Sequence, residues 1–250
     1  MDGCLNFRDL GGYLTADGKT VKRRTIFRSD SLRDLSDADL ARFTELGIRV
    51  VHDFRLDHER AANPSRLPKH QTPEVVLLSA GDVPDGGTDI VTLTVNMLEG
   101  RAPMAPASFW EDNYVTLLEN AGPQFVGLMH SLADSARLPA LFHCAGGKDR
   151  TGLAATMLLS LLGVAPELVR DDFLLTNQLR TMKRLAFWQP TFDAKGIDPI
   201  SALPILGVTR AAWERAWQHL DDEYQGPLGY LQKYGLAEET PARLRALLVV

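Results

Sequence analysis

The stretch Leu141-Phe142-His143-Cys144-Ala145-Gly146-Gly147-Lys148-Asp149-Arg150-Thr151-Gly152 lies between a short apolar run at 138–142 and a longer one at 152–162. The first run predicts a buried strand and the second an apolar helix. A loop that leaves the carboxyl end of a strand is where open α/β sheets bind ligands. Gly146 and Gly147 let successive backbone N–H groups turn inward as an anion nest, and the start of the helix adds its positive end. Arg150 brings a fork of donors that matches two oxygens of a phosphate. Cys144 closes the strand and faces the nest, where the field that favours phosphate also favours thiolate over thiol.

A nucleophile beside a cradle for a tetrahedral anion suits attack of sulfur on phosphorus, followed by hydrolysis of the cysteinyl-phosphate. The candidate catalytic residues are Cys144 as nucleophile, Arg150 as stabiliser of the equatorial oxygens, and Thr151, whose hydroxyl would assist the sulfur as leaving group. The candidate phosphate-binding set is Ala145, Gly146, Gly147, Lys148, Asp149 and Arg150. No metal or other cofactor is expected, since the cationic loop itself neutralises the phosphoryl charge. Cys-x5-Arg alone is a weak signal; the whole string in a strand–loop–helix setting is specific. The plain alternative for Cys144 is an inert buried thiol, against which Arg150 and the paired glycines argue. A nucleotide-binding P-loop does not fit, because Asp149 rather than Ser or Thr follows Lys148 and the upstream glycine is missing.

Away from the loop, Ser36 opens a helix with Asp37 and Asp39 in its first turn, and Gly47 ends it. Runs at 25–27, 48–51 and 75–78 predict strands. Residues 81–107 are rich in Gly and Pro and read as loop with one short element around 90–98. Separate helices are expected at 109–119 and 125–133, and further ones at 166–177, 209–224, 228–234 and 240–248. Strands interleaved with helices predict an α/β fold: a central, mainly parallel sheet flanked by helices, with extra C-terminal helices. No repeat or linker divides residues 1–250, so one domain is expected.

The 250 residues are 45% hydrophobic and 24% charged, ordinary for an ordered globular chain. Lys plus Arg is 27 against 32 for Asp plus Glu, a net charge of −5 that disfavours nucleic acid as partner. Two cysteines exclude a disulfide scaffold and a cysteine-rich zinc module, and the histidines lack ligand spacing. Cys4 has no basic surroundings and reads as exposed and incidental. No apolar run is long enough to span a bilayer, and the acidic start MDGCLNFRDL lacks a secretory pattern. The expectation is a cytoplasmic protein, or one exported without a classical signal peptide.

HCAGGKDRTG resembles the active-site loop of the cysteine-dependent protein-tyrosine phosphatases. Its Lys148-Asp149 pair is similar to that of the bacterial tyrosine/serine phosphatase group of the PtpB type. Asn6-Phe7-Arg8-Asp9-Leu10-Gly11-Gly12, Phe27-Arg28-Ser29, Asp53-Phe54-Arg55 with Glu59, and Tyr224 with Gly229-Tyr230-Leu231 resemble that group too, over nearly the whole chain. The resemblance implies hydrolysis of phosphotyrosine, less readily of phosphoserine and phosphothreonine, and often of phosphoinositides.

The leaving oxygen needs a proton, usually from a carboxylic acid in the pocket. Asp82 is one candidate, placed where the resembling family carries its proposed acid; Asp149, inside the loop, is the other. Asp82 also reads as a solvated loop carboxylate, and Asp53 as one half of an ion pair that holds a loop. Lys148 points to polyanionic ligands such as inositol lipids, or simply supports the thiolate. His143 reads as a buried hydrogen-bonding residue that shapes the loop. Residues 180–206 set Met182, Leu185, Phe187, Trp188 and Phe192 beside Lys183 and Arg184. They are either a core-packing helix or, as in the resembling family, a helical lid over the loop with a face suited to transient contact with a membrane surface. Three functions follow: a phosphatase acting on phosphoproteins, one acting mainly on phosphoinositides, and an inactive phosphate-binding module. The oligomeric state is left open.

Overall fold

The computed structural model describes residues 1–81 and 90–250. The first half holds β1 (Arg8–Asp9), β2 (Ile26–Ser29), α1 (Asp37–Glu45), β3 (Val50–Asp53), α2 (Asp57–Ala62), β4 (Glu74–Leu77), α3 (Ile90–Leu98) and α4 (Ala107–Leu132). The second half holds β5 (Ala140–His143), α5 (Asp149–Leu161), α6 (Pro166–Thr176), α7 (Met182–Lys195), α8 (Leu203–Leu206), α9 (Arg210–Tyr224), α10 (Pro227–Lys233) and α11 (Thr240–Leu248). The five strands form one sheet in the order β1-β2-β5-β3-β4, antiparallel only at β1–β2. This is the α/β architecture that the alternation of strands and helices predicts, with helices packed through the C-terminal third.

Every residue of β2, β3 and β5 is buried, as expected of parallel strands covered on both faces. Phe27, Val51 and Leu141 pack with Leu32, Leu35, Phe43 and Ile48 on one face. Ile26, Ala140 and Phe142 pack with α4, α5 and α9 on the other. Cys4 belongs to the first of these layers. It is 2% exposed, its Sγ donates to Ser31 O at 3.7 Å, and burial pushes its thiol up to about 12. The expectation of an exposed Cys4 is corrected: the N-terminal segment tucks under α1, where Asp39 accepts the N–H groups of Asp2 and Gly3, each at 2.9 Å.

Ser36 caps α1 as expected, accepting from Asp39 N at 3.1 Å while Asp39 Oδ2 accepts from Ser36 N at 3.1 Å. The two helices expected around Gly122-Pro123 are a single helix, α4. Proline lacks an N–H and frees the carbonyl four residues earlier, here that of Glu119. The Tyr234 hydroxyl donates to this oxygen at 3.1 Å, and the Tyr230 hydroxyl to Leu118 O at 2.5 Å. Gly122 makes room for this, since a Cβ there would lie 2.3 Å from the Tyr234 ring.

β5 sits in the middle of the parallel strands, with His143 paired to Ser29 of β2 and to Asp53 of β3. The segments leaving three strand ends, beginning at Asp30, Phe54 and Cys144, therefore meet at one place.

Candidate active site

Residues 144–148 join β5 to α5, and eleven of the thirteen residues of α5 are buried. The loop's carbonyl oxygens are taken from behind. Ser31 N–H donates to Ala145 O at 3.1 Å, Asn6 Nδ2 to Gly146 O at 3.4 Å and to Gly147 O at 2.8 Å, and Arg28 Nη2 to Gly147 O at 2.9 Å. With their carbonyls held outward, the peptide planes turn their N–H groups toward the cavity. Gly147 N–H donates to Cys144 Sγ at 3.2 Å. Gly147 has φ +63°, and a Cβ on it would lie 2.5 Å from Asp30 N, so the turn requires glycine.

Arg150, in the first turn of α5, is braced as a fork. Its Nη1 and Nη2 donate to Glu59 Oε2 and Oε1 at 2.6 and 2.8 Å, and Nη1 also reaches Phe54 O at 3.1 Å and Ala80 O at 3.3 Å. Burial works against its charge, yet Glu59 and the sulfur of Cys144 hold its pKa above the ordinary value. Burial likewise opposes the Glu59 charge, and Arg150 outweighs it to keep that carboxyl below its usual range. Glu59 also accepts Leu56 N–H at 2.8 Å at the start of α2, which fixes the brace to a helix end.

The other expected residues are placed as follows. Asp149 accepts the Tyr114 hydroxyl at 2.5 Å and lies 3.5 Å from Lys148 Nζ. Burial, then the charge of Asp149, raises the Tyr114 pKa. Lys148 lines the cavity, but its ammonium donates to Ile205 O at 2.6 Å and Gly207 O at 3.1 Å and sits 5.8 Å from the Trp110 ring centre. Thr151 is fully buried, and its hydroxyl has no hydrogen-bond partner among the described residues. Asp82 lies outside the described residues. Asp53 pairs with Arg55, which donates from Nε at 2.9 Å and from Nη2 at 2.6 Å. His143 is buried, its Nδ1 3.1 Å from Cys144 O, and burial pushes it down to about 4, so the ring is neutral near pH 7.

Above the loop opens a cavity of about 970 Å³ lined by Cys144, Asp149 and Arg150 together with α3, the start of α4, and α7. α6 runs into α7 through a π-helical turn, Asn177–Thr181, a form often found at functional sites. That turn delivers Arg180 to the cavity, where it donates to Leu206 O at 2.8 Å. Phe192, Ile205 and Leu206 are buried with Met97, Leu98 and Trp110 in an apolar cluster of their own, with Trp188 and Leu185 packed against it. Phe187 is 66% exposed.

The sequence reading assigned no role to the residues behind the loop. Asp172 accepts Arg28 Nη1 at 2.5 Å, Arg8 Nε at 2.9 Å and the Tyr13 hydroxyl at 3.1 Å. Arg8 Nη1 in turn donates to Asn6 Oδ1 at 2.6 Å. Asn6 and Arg28, the two side chains on Gly147 O, are thus held by one buried carboxylate. The signal was present: Val169, Asp172, Phe173 and Thr176 form the buried stripe of α6, and an acid on such a stripe demands a cation. Among the described residues, no three His, Cys, Asp or Glu side chains gather in a way that could hold a metal. None of their helices is long and apolar enough to cross a membrane.

A protein of Cupriavidus necator provisionally named a tyrosine-protein phosphatase is 30% identical over 238 residues, covering 93% of this chain and 82% of its own length. The triple specificity protein phosphatase PtpB of Mycobacterium tuberculosis is 28% identical over 279 residues, covering 100% of this chain and 98% of its own. A tyrosine-protein phosphatase of Nostoc commune is 29% identical over 228 residues, covering 88% and 73%. Residues 1–250, the whole chain, match the model of the tyrosine phosphatase family, and the chain belongs to that family as a protein-tyrosine phosphatase.

Proposed function

We propose that the protein hydrolyses phosphotyrosine in proteins, and phosphoserine and phosphothreonine more weakly, through a cysteinyl-phosphate on Cys144. The observation that carries this reading is Gly147 N–H directed at Cys144 Sγ at 3.2 Å in a loop whose carbonyls at Ala145, Gly146 and Gly147 are tied from behind. Cys144 Sγ attacks phosphorus; the S–P bond forms as the P–O bond to the leaving group breaks, and a carboxylic acid gives that oxygen its proton. Water then attacks phosphorus, the S–P bond breaks, sulfur leaves as thiolate, and the water's proton passes to the carboxylate. The inward N–H groups of 146–148 and the edge of the Arg150 guanidinium that Glu59 leaves free hold the three equatorial oxygens in both steps. In this reading the Thr151 hydroxyl, which has no hydrogen-bond partner among the described residues, turns to the sulfur as donor when the thiolate leaves in the second step. Asp82 and Asp149 are the two candidates for the acid.

A second reading, phosphoinositides as substrates of the same chemistry, draws on Arg33, Arg180 and Arg184, which line the cavity beside Lys148. A second anionic group on the substrate would meet them there. The triple specificity named for the Mycobacterium relative is compatible with both substrate classes. The segment 180–206 serves in this reading as a cover that excludes water and shields the thiolate. It is held at its end by Lys148 and Arg180 on the carbonyls of Ile205, Leu206 and Gly207. The test is hydrolysis of p-nitrophenyl phosphate with vanadate inhibition and no effect of EDTA, then a panel of phosphopeptides and inositol lipids. Vanadate-insensitive or EDTA-sensitive turnover would refute the cysteine chemistry.

A further inference from the structure

The helix α3, Ile-Val-Thr-Leu-Thr-Val-Asn-Met-Leu, holds six apolar residues in nine and no charge, yet buries only Met97 and Leu98. A helix this apolar ordinarily hides its side chains in a core. Here Leu93 and Val95 are only half-buried, Leu93 with one side on the cluster of Met97, Trp110 and Phe192, and both line the cavity above the phosphate loop. Leu98, Phe109, Trp110 and Trp188 continue the same wall. Trp188 is kept in place by stacking on Phe192, with ring centres 6.3 Å apart. The cavity therefore joins a phosphate cradle to an extended apolar wall. Its volume of about 970 Å³ is near the top of the range of about 300–1,000 Å³ for small-molecule sites. A phosphotyrosine side chain, one ring beyond the phosphate, leaves most of that wall uncovered.

We propose that this site also hydrolyses phosphomonoesters of long aliphatic alcohols, with the phosphate in the 144–150 loop and the chain laid along α3 and Trp188. The inference rests on the phosphatase reading of Cys144 and Arg150 and adds a substrate class to it. The bonds are those already described: S–P forms as the P–O bond to the alkyl group breaks, the alkoxide takes a proton from the carboxylic acid, and water releases inorganic phosphate. The products are a long-chain alcohol and phosphate.

The test measures kcat/KM of the whole protein for butyl, hexyl, octyl and decyl phosphate, all below their micelle concentrations, with p-nitrophenyl phosphate as reference. Full burial of a methylene is worth about 0.8 kcal/mol, or roughly fourfold, so partial burial of four methylenes predicts a rise of at least about tenfold from butyl to octyl. Leu93→Ser and Val95→Ser should flatten that rise and leave p-nitrophenyl phosphate turnover unchanged. Leu93→Trp, which fills the slot and keeps the apolar packing, should move the optimum to a shorter chain. A wild-type kcat/KM that is flat with chain length, or a rise that appears only above the micelle concentration, overturns the proposal while leaving the phosphatase reading intact. Failure to hydrolyse p-nitrophenyl phosphate at all would sink the phosphatase reading itself.

Discussion

Glu59 holds the Arg150 guanidinium by two bonds of 2.6 and 2.8 Å, so the fork is in place before any phosphate arrives. Arg150→Ala should lower kcat/KM by roughly 10²–10³-fold or more, the cost of losing a charged oxyanion donor. Glu59→Gln keeps the shape but loses one charge, and a charge-assisted bond of about 1.5–3 kcal/mol predicts a loss of roughly 10–100-fold. Steady-state kinetics on p-nitrophenyl phosphate checks both, and a Glu59→Gln enzyme as active as wild type would show that the brace is idle. The proton donor is read by leaving group: replacing the true acid with Ala should slow alkyl phosphates far more than nitrophenyl phosphate, whose leaving group needs little protonation. Asp82→Ala and Asp149→Ala tested in parallel assign the role to one of the two. That Cys144, Arg150 and the glycines share one loop was legible from the whole string in its strand–loop–helix setting, because they are contiguous in the chain. The Asn6–Arg28–Asp172 network was not, because its members come together only when β1, β2 and α6 pack.

Among the elements, α4 shows how tertiary contacts override a local rule. Gly122-Pro123 reads as a break, and two tyrosines of the distant segment 230–234 keep the helix whole by taking the carbonyls of Leu118 and Glu119. Gly122→Ala places a methyl 2.3 Å from the Tyr234 ring, an overpacking that should cost about 1–3 kcal/mol. Thermal melts should register this as a fall in Tm of about 2–4 °C per kcal/mol; an unchanged melt would mean Tyr234 is free to move aside. The segment 180–206 is the other contested element. The alternatives weighed for it, ordinary core helix or cover, both find something in the structure. Phe192 is buried in a cluster that stands apart from the main core, and Phe187 is 66% exposed. If α7 is a cover, polar replacement of Phe187 and Trp188 should speed peroxide inactivation of Cys144 with far-UV circular dichroism unchanged. Unchanged inactivation would make them surface and packing residues only.

For the molecule as a whole, the sheet was predictable from strand–helix alternation, and its order brings three strand ends to one site. Two histidines sit in its centre, His52 on β3 and His143 on β5, and burial pushes each from 6.5 to about 4. The unfolded chain therefore binds more protons than the folded one between about pH 6.5 and 4. Their contribution to stability is complete above that window and is lost as the pH falls through it. Urea unfolding at pH 7 and pH 5 should give a lower midpoint at pH 5, and His52→Asn should shrink the difference; equal midpoints would mean these rings are not held neutral.

The central claim is a covalent bond between Cys144 and phosphorus. Rapid acid quench of the enzyme during turnover of p-nitrophenyl phosphate, followed by mass determination of the peptide containing Cys144, reads it directly. The account predicts one phosphoryl group on that peptide in the wild type, and no phosphoryl enzyme and no turnover in Cys144→Ser, which still binds phosphate through the loop N–H groups and Arg150. A phosphoryl group on another residue, or substantial turnover by Cys144→Ser, would contradict it.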